Sequence, residues 1–433
     1  MEQIEIKGFL TIEHAVFEIK KINILIGEQA QGKSVIAKLV YFFKSHFTEI
    51  FVESIRNFET EQQIEEKCLS KFRKIFPSYT WEQDDFSISY KNNDYDLSIA
   101  NVEIDGGNVL SFKLSHALVE FQTAFYADYK QALKAPDMMT IASGGFFAAR
   151  SSSDVFSDTW RRRISFTNFQ EGSVFIPAGR SFFAMLQNNI FSFLSKDIDI
   201  DPFIEEFGRL YERAKRLKHM MGTAEYYESP HVSIGIQKEM AHLCADITKG
   251  VYVSASNQDW IENEERRINL ANSSSGQQES LPMLLTLQVF ASFQAGESPT
   301  RFFIEEPEAH LFPHSQKQIV SLIATIYKEL GHNFFITTHS PYILTAINNL
   351  VVGQDAYDKV KDNPEKLAAL EKVLPASQLI RLEDVSAYTL KNGKLESIID
   401  WENRLIGANI LDAVSSEFEQ AFNVASDMLY EEE

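Results

Sequence analysis

Cysteine is scarce in this chain. Cys68 and Cys244 are the only two in 433 residues, far apart and with no second ligand pair nearby. That excludes a disulfide framework and a zinc motif, and it fits a reducing compartment. No apolar run approaches the ~18–20 residues of a membrane-spanning helix. The opening MEQIEIKGFL has neither the basic nor the apolar region of a signal peptide. The expected location is the cytoplasm, with no membrane contact. Positive charge is also short: 41 basic against 61 acidic residues give a net charge of −20. A protein that grips a nucleic-acid backbone unaided carries a basic surface, so any contact with nucleic acid is expected to be local or indirect. The local basic runs are Arg161–Arg163 and Arg209, Arg213, Lys215, Arg216 and Lys218. Their ordinary reading is a solvated helix face. There is no internal repeat and no low-complexity linker. The 34 phenylalanines speak for an aromatic-rich core rather than disorder, and the length allows two to three domains at ~150 residues each.

What is present is more specific. Ile22 to Ile26, apolar except at Asn23, reads as a buried strand. It runs into Gly27, Glu28, Gln29, Ala30, Gln31, Gly32, Lys33 and Ser34, then Val35 and an apolar-periodic helix. G-x-x-x-x-G-K-S between strand and helix is a phosphate-binding loop in its required setting. Gly27 and Gly32 let successive N–H groups converge on one anion, and the helix dipole adds to the attraction. Lys33 is expected to reach the β- and γ-phosphates, and Ser34 to ligate Mg²⁺. The ligand is therefore expected to be a nucleotide carrying β- and γ-phosphates, with Mg²⁺; the resemblance described below implies ATP.

Around this loop the pattern alternates between strands and helices. Ile4–Phe9 and Ala15–Ile19 read as strands, 48–75 as charged helix, and 85–113 as an antiparallel β patch. Ser115–Leu133 reads as helix, 136–170 as a poorly patterned connection, and Val174–Ile176 as a short strand ending in Pro177 with Arg180 pointing outward. Helices are expected at 181–195, 203–221 and 231–248, and short strands near 250–254 and 267–271. The tail over 406–430 has helical apolar spacing.

Three later segments complete a phosphoryl-transfer pattern. RFFIEEPEAHLFP places two carboxylates after a buried strand; Glu305 suits the Mg²⁺ side, and Glu306 suits orienting or deprotonating water. NFFITTHSP is another buried strand ending at His339, placed to meet a γ-phosphate or the attacking water. Between them and the loop, Ser274, Ser275, Gly276, Gln277 and Gln278 open a helix that forms a second anion site. A second anion site is redundant within one chain and makes sense facing the nucleotide of another copy. The bland alternative is a serine N-cap with Glu279 as its capping-box partner.

The set GEQAQGKS, SSSGQQE, FFIEEPEAHL and ITTHSP resembles the soluble ABC-type ATPases, a superfamily that includes chromosome-maintenance and repair ATPases. Its wording looks closest to the OLD-like ATPases of bacterial anti-phage defence, as in Septu-type, PARIS-type and retron-associated systems. Twenty-nine residues separate Gly276 from Glu305 and thirty-four separate Glu305 from His339, which agrees with that family. The resemblance implies an α/β ABC-type P-loop ATPase head, a mixed sheet plus an antiparallel β patch, with an inserted helical lobe or short arm. It implies that Glu306 is the catalytic base, His339 the switch histidine, and Ser275–Gly276 a contact to ATP on a neighbouring subunit. Arg180 falls where the family places its loop contacting Mg²⁺ and γ-phosphate. The implied division is 1–47 and 266–380 for the two parts of the ATPase domain, 48–170 for an insertion, 171–265 for a helical lobe, and 381–433 for a β/helical tail.

Two departures stand out. Glu305 replaces the usual aspartate, which implies slow hydrolysis, and Gln277 replaces the second signature glycine, which implies looser packing in trans. After His339 the sequence contains no Asp-x-Asp of a Toprim nuclease, and no HNH, zinc or Ser/His/Asp constellation is evident. The resemblance therefore implies a homodimer or higher homo-oligomer, joined through the ATP sites, that controls a separate nuclease effector. The rivals are a DNA-repair or recombination ATPase acting on DNA, an ATP-locked scaffold with negligible turnover, and a transporter ATPase, which the insertion disfavours.

Overall fold

The computed structural model describes residues 2–407, apart from 105, 135–139, 142–146, 149–151, 165, 167–168, 187–199, 221–230, 256–257, 265 and 297. The helical tail expected over 406–430 falls almost wholly outside the described residues, as does the 181–195 helix beyond Leu186. In chain order, β1 (Glu2–Phe9), β2 (Ile12–Ile19) and β3 (Ile22–Ile26) lead into α1 (Lys33–Tyr41). Then come α2 (Phe47–Arg56), α3 (Glu61–Ile75), β4 (Phe86–Lys91), β5 (Asp96–Ile104), β6 (Gly107–Leu114), α4 (His116–Lys134) and α5 (Ser152–Arg163). The next stretch holds β7 (Gly172–Ile176), α6 (Ser181–Leu186), α7 (Pro202–Met220), α8 (Ile234–Thr248) and three strands, β8 (Val251–Ala255), β9 (Gln258–Asn263) and β10 (Arg266–Asn269). It ends in α9 (Ser275–Gln294), β11 (Thr300–Glu305), α10 (Pro313–Leu330), β12 (Asn333–Thr338), α11 (Pro341–Val360), α12 (Pro364–Glu371) and β13 (Val385–Lys391).

The chain forms two compact units. One comprises Met1–Ile19, Val35–Ser173 and Asn392–Lys394; the other comprises Lys20–Ser34, Val174–Lys391 and the residues from Leu395 on. The first unit carries an antiparallel sheet ordered β6-β5-β4-β1-β2. β4 alternates buried and exposed residues along its length, as a half-covered strand does. Its buried face meets phenylalanines. Phe72 lies 5.7 Å from Phe9 and 5.9 Å from Phe42, and Phe43 stacks on Tyr90 at 5.3 Å. α1 does not stop at Tyr41 but passes through a π-helical turn, Phe42–His46, into α2. That extra residue in the turn carries Lys44 inward, where Glu2 at 2.8 Å and Glu171 at 2.6 Å neutralise it. α3 starts on a full capping box between Thr60 and Gln63. The connection expected over 136–170 contains α5, whose Phe156 packs on Phe125 at 5.2 Å.

The second unit is built on a sheet ordered β13-β3-β12-β11-β7. β3 pairs in parallel with both β12 and β13, and β12 pairs in parallel with β11. β3 and β11 are buried at every position, the mark of parallel strands covered on both faces. Asn23 is tolerated inside β3 because it is satisfied. It donates to the Phe334 and Lys20 carbonyls and accepts from Ser386 Oγ and Lys20 N. Strand β13 lies in the stretch that the sequence assigned to a tail, yet it is a direct neighbour of the loop-bearing strand. Among the described residues no helix is long and apolar enough to cross a membrane. The architecture is α/β, with parallel and antiparallel pairings and flanking helices.

Candidate active site

The parallel register decides which residues meet. Thr338 pairs with Ile26, and Glu305 pairs with Thr337, so the loop after β3, the acids after β11 and His339 after β12 leave the same edge of the sheet side by side. Gly27 through Ser34 form the turn. Gly32 sits at φ +101° and Ala30 at φ +59°, both in the left-handed half of backbone space that curls N–H groups inward. A side chain at Gly27 would come within 3.1 Å of the Leu390 carbonyl of β13. Gln29, Ala30 and Ser34 are exposed, and Val35 follows as part of α1. Lys33 is buried and donates to the carbonyls of Gly27 at 2.8 Å and Glu28 at 2.6 Å. Burial lowers its pKa, and the carboxylates of Glu306 and Glu308 oppose that shift.

Lys33 Nζ also lies 3.3 Å from His339 Nδ1, and His339 Nε2 lies 3.1 Å from Glu306 Oε1. An ammonium group can only donate. His339 Nδ1 therefore accepts, and Nε2 carries the proton that it gives to Glu306. The backbone N–H of His339 and the hydroxyl of Thr338 both donate to Glu308 Oε1, at 2.7 and 2.8 Å. Glu308 thus fixes the turn that carries the histidine. Its sequence signal is its place in EEPE, two residues beyond the acid pair.

The two acids differ. Glu305 is buried; its Oε2 accepts from Ala178 N at 3.2 Å, while its Oε1 has no hydrogen-bond partner. A buried carboxylate oxygen without a donor suits a hard cation. Ser34 and Glu305 are the residues that would hold Mg²⁺, and this donor chemistry fits it. Among the described residues no cluster of three or more His, Cys, Asp or Glu forms a further metal site. Glu306 is partly exposed and adopts φ +44°, a strained conformation for a non-glycine residue. Its N–H donates to Thr337 O at 2.9 Å and its carbonyl accepts from Arg180 at 3.0 Å.

Arg180 does not point outward. It is completely buried and its guanidinium is occupied by the carbonyls of Pro177, Glu279, Glu305 and Glu306. Four of its five N–H donors go to backbone carbonyls, and two of these bonds hold the backbone of Glu305 and Glu306. Burial lowers its pKa, and the carboxylates around it, Glu279 first, oppose the shift. α9 starts at Ser275 as expected, and only the capping partner differs from the alternative named above. Ser274 is the N-cap, and the capping box closes with Gln277, not Glu279. Gln277 Oε1 accepts from Ser274 N, and its Nε2 donates to Thr248 O at 2.7 Å. Gln278 anchors the preceding loop through the Ala271 and Ser273 carbonyls. Ser274 and Ser275 remain exposed. Gly276 is pressed against the acid-bearing loop, where an added Cβ would lie 2.8 Å from His310 O.

Residues 178–344 match the family model for an AAA ATPase domain. The activity class is ATP hydrolysis. The matched stretch of this ATPase holds Glu279, Glu305, Glu306, Glu308 and His339, while the phosphate loop lies outside it. No curated protein matches the chain. Among solved structures it is similar to an SMC head bound to the C-terminal winged-helix domain of ScpA, at 13% identity over 93% of this chain and 98% of that one, with a TM-score of 0.37. It is also similar to the SMC head domain from Thermotoga maritima (10% identity, 92% and 97% covered, TM-score 0.33) and to the recombination mediator protein RecF-ATPrS in the RecFOR pathway (11%, 92% and 97%, 0.29). Likeness this loose does not establish a fold. The sheet order and the loop between β3 and α1 do that for the ATPase, and they are those of an α/β P-loop head.

Proposed function

We propose that the chain hydrolyses ATP in sites completed by a second copy, and that the resulting change of shape controls a separate effector. The observation that carries the reading is the line from Lys33 through His339 to Glu306, beside a buried Glu305 oxygen that has no donor. Bound Mg²⁺ would neutralise charge on the β- and γ-phosphate oxygens. The N–H groups of the Gly27–Ser34 turn cradle the phosphates, and Lys33 exchanges its loop carbonyls for phosphate oxygens. Glu306 takes the proton of the attacking water at its carboxylate. His339, donating from Nε2, holds that carboxylate in place while Nδ1 stays on the Lys33 side. Ser274–Gln278 offer exposed hydroxyls and a helix N-terminus to the nucleotide of the other copy.

The effector half of the reading is supported by the motif wording and by the net charge of −20, which suits a regulator better than a DNA clamp. The effector is a nuclease of HNH or Toprim type, and the setting is anti-phage defence. The test begins with ATP turnover and light scattering on the wild type and Glu306→Gln. The variant is expected to lose roughly 100-fold or more in turnover and to accumulate as an ATP-bound dimer. Unchanged turnover would remove Glu306 from the mechanism. Purification from the native host, read by mass spectrometry, is expected to bring a nuclease down with the chain. Salt-sensitive DNA binding by the chain alone would move the reading to a repair ATPase.

A further inference from the structure

Arg180 and Glu279 link two parts of the site that serve different nucleotides. Glu279 belongs to α9, whose first residues, Ser275 and Gly276, are offered to the nucleotide of the other copy in the dimer reading above. Its carboxylate accepts from the backbone N–H of Arg180 at 2.9 Å and of Ser181 at 3.0 Å, and the Arg180 guanidinium lies 3.6 Å away. The same guanidinium donates to Glu279 O at 2.9 Å, Glu305 O at 2.7 Å and Glu306 O at 3.0 Å. A planar, rigid fork thus fastens the start of α9 to the backbone of both acids. A second, independent contact runs alongside it: Gly276 packs on His310 O so closely that a methyl group does not fit. Meanwhile Glu306 sits in a strained conformation that persists only because its N–H and carbonyl are both held.

We infer that Arg180 and Glu279 are a positioning pair that couples the two nucleotide sites of a dimer. When the start of α9 engages a nucleotide on the other copy, the arginine carries the displacement to Glu305 and Glu306 of its own copy. Hydrolysis at one site then depends on occupancy of the other. By linkage the effect is reciprocal. This inference rests on the dimer reading above and adds which residues make its two sites act together.

The experiment uses the full chain, with Glu279→Gln and Arg180→Lys beside the wild type. Glu279→Gln keeps the volume but only one of the two acceptor oxygens, so one of the Arg180 and Ser181 N–H groups loses its partner; kcat is therefore read per folded molecule. Turnover is measured across ATP concentration, with binding of a fluorescent ATP analogue and the thermal midpoint in parallel. The wild type is expected to show a Hill coefficient above 1, toward about 2 for two sites. Both variants are expected to lower the thermal midpoint, because buried carbonyls or N–H groups lose partners, but to keep nucleotide affinity per folded molecule, to lose roughly 10- to 100-fold in kcat per folded molecule, and to fall to a Hill coefficient of about 1. Variants that keep the wild-type Hill coefficient and kcat overturn the coupling, as do variants whose kcat falls only in step with lost folded protein. A wild type that turns over ATP through Lys33 without cooperativity overturns the coupling alone and leaves the ATPase reading standing. A wild type that never dimerises on ATP overturns the dimer reading and the coupling with it.

Discussion

The two units bury their sheets with different side chains, and the difference tracks what each unit does. In the first, antiparallel strands alternate and their covered face meets rings: Phe9, Phe42, Phe43, Phe47 and Phe72 are fully buried. In the second, parallel strands are buried on both faces and the core is mainly aliphatic, drawn from residues such as Ile24, Ile304, Ile319, Ile336 and Leu344. The aromatic unit buries polar groups too, Lys44 and His46 among them, with Lys44 neutralised by Glu2 and Glu171. The aliphatic layer ends at a sheet edge where Lys33, Arg180, Glu279 and Glu305 are all buried together. Buried charges are costly unless each finds a partner, and here nearly every one does. The orphan oxygens of Glu305 and Glu308 therefore mark the place where a ligand belongs. On the function proposed above, the first unit is scaffold and the second carries the chemistry.

Two substitutions would break that division if it is false. Lys33→Ala removes the cation from the phosphate loop and is expected to cut turnover by about 1,000-fold, roughly 4 kcal/mol. Its thermal midpoint should hardly move, because Lys33 meets two loop carbonyls and one imidazole rather than a packed core. Phe72→Ala should do the reverse. It empties a site lined by Phe9, Phe42, Phe76 and Trp81 and is expected to cost about 3 kcal/mol of stability. Its kcat per folded molecule should stay at the wild-type value. Denaturant titration beside a turnover assay separates the two, and a Phe72→Ala protein that is stable but inactive would put catalysis in the wrong unit.

Gly276→Ala sharpens the comparison inside the second unit. The new methyl group meets a backbone carbonyl, which cannot rotate away, so the start of α9 or the acid loop must shift. The expected result is a fall of about tenfold in kcat with ATP affinity kept. Wild-type kcat would show that the contact with His310 is slack.

The phosphate loop, the acid pair and His339 were legible because each is a local pattern at a strand end, and parallel strands bring such ends together. Strand β13 was not: Val385–Lys391 lies more than 350 residues from β3, and nothing in its own period names that neighbour. α5 was obscured because its buried positions, Val155, Phe156 and Thr159, sit among serines and arginines and one of them is polar. Arg180 was misread for a different reason. An arginine after a strand looks solvent-facing until the backbone carbonyls that receive it are known, and carbonyls carry no sequence signal. The alternative of a capping box through Glu279 holds in its serine N-cap but not in its partner, because Gln277, three positions after Ser274, has the spacing that closes the box.

The smallest expected effect lies in the scaffold. His46 ends the π-helical turn, edge-on to Tyr41 at 5.1 Å and almost wholly buried. Burial, with a smaller push from the Lys71 charge, lowers its pKa to about 3. In the unfolded chain it titrates near the ordinary value of about 6.5. Between those two values the unfolded state binds the extra proton, so stability rises with pH there and falls on acidification. From pH 6.5 to 5.5 this one group is expected to remove about 1 kcal/mol. Other groups titrate over the same range, so the measurement is a difference: urea titrations of wild type and His46→Gln at both pH values. The glutamine variant should lose about 1 kcal/mol less on acidification than the wild type. Equal losses would mean that the imidazole is reached by water and is charged in the folded protein, and the aromatic unit would then hold a polar pocket that its packing does not suggest.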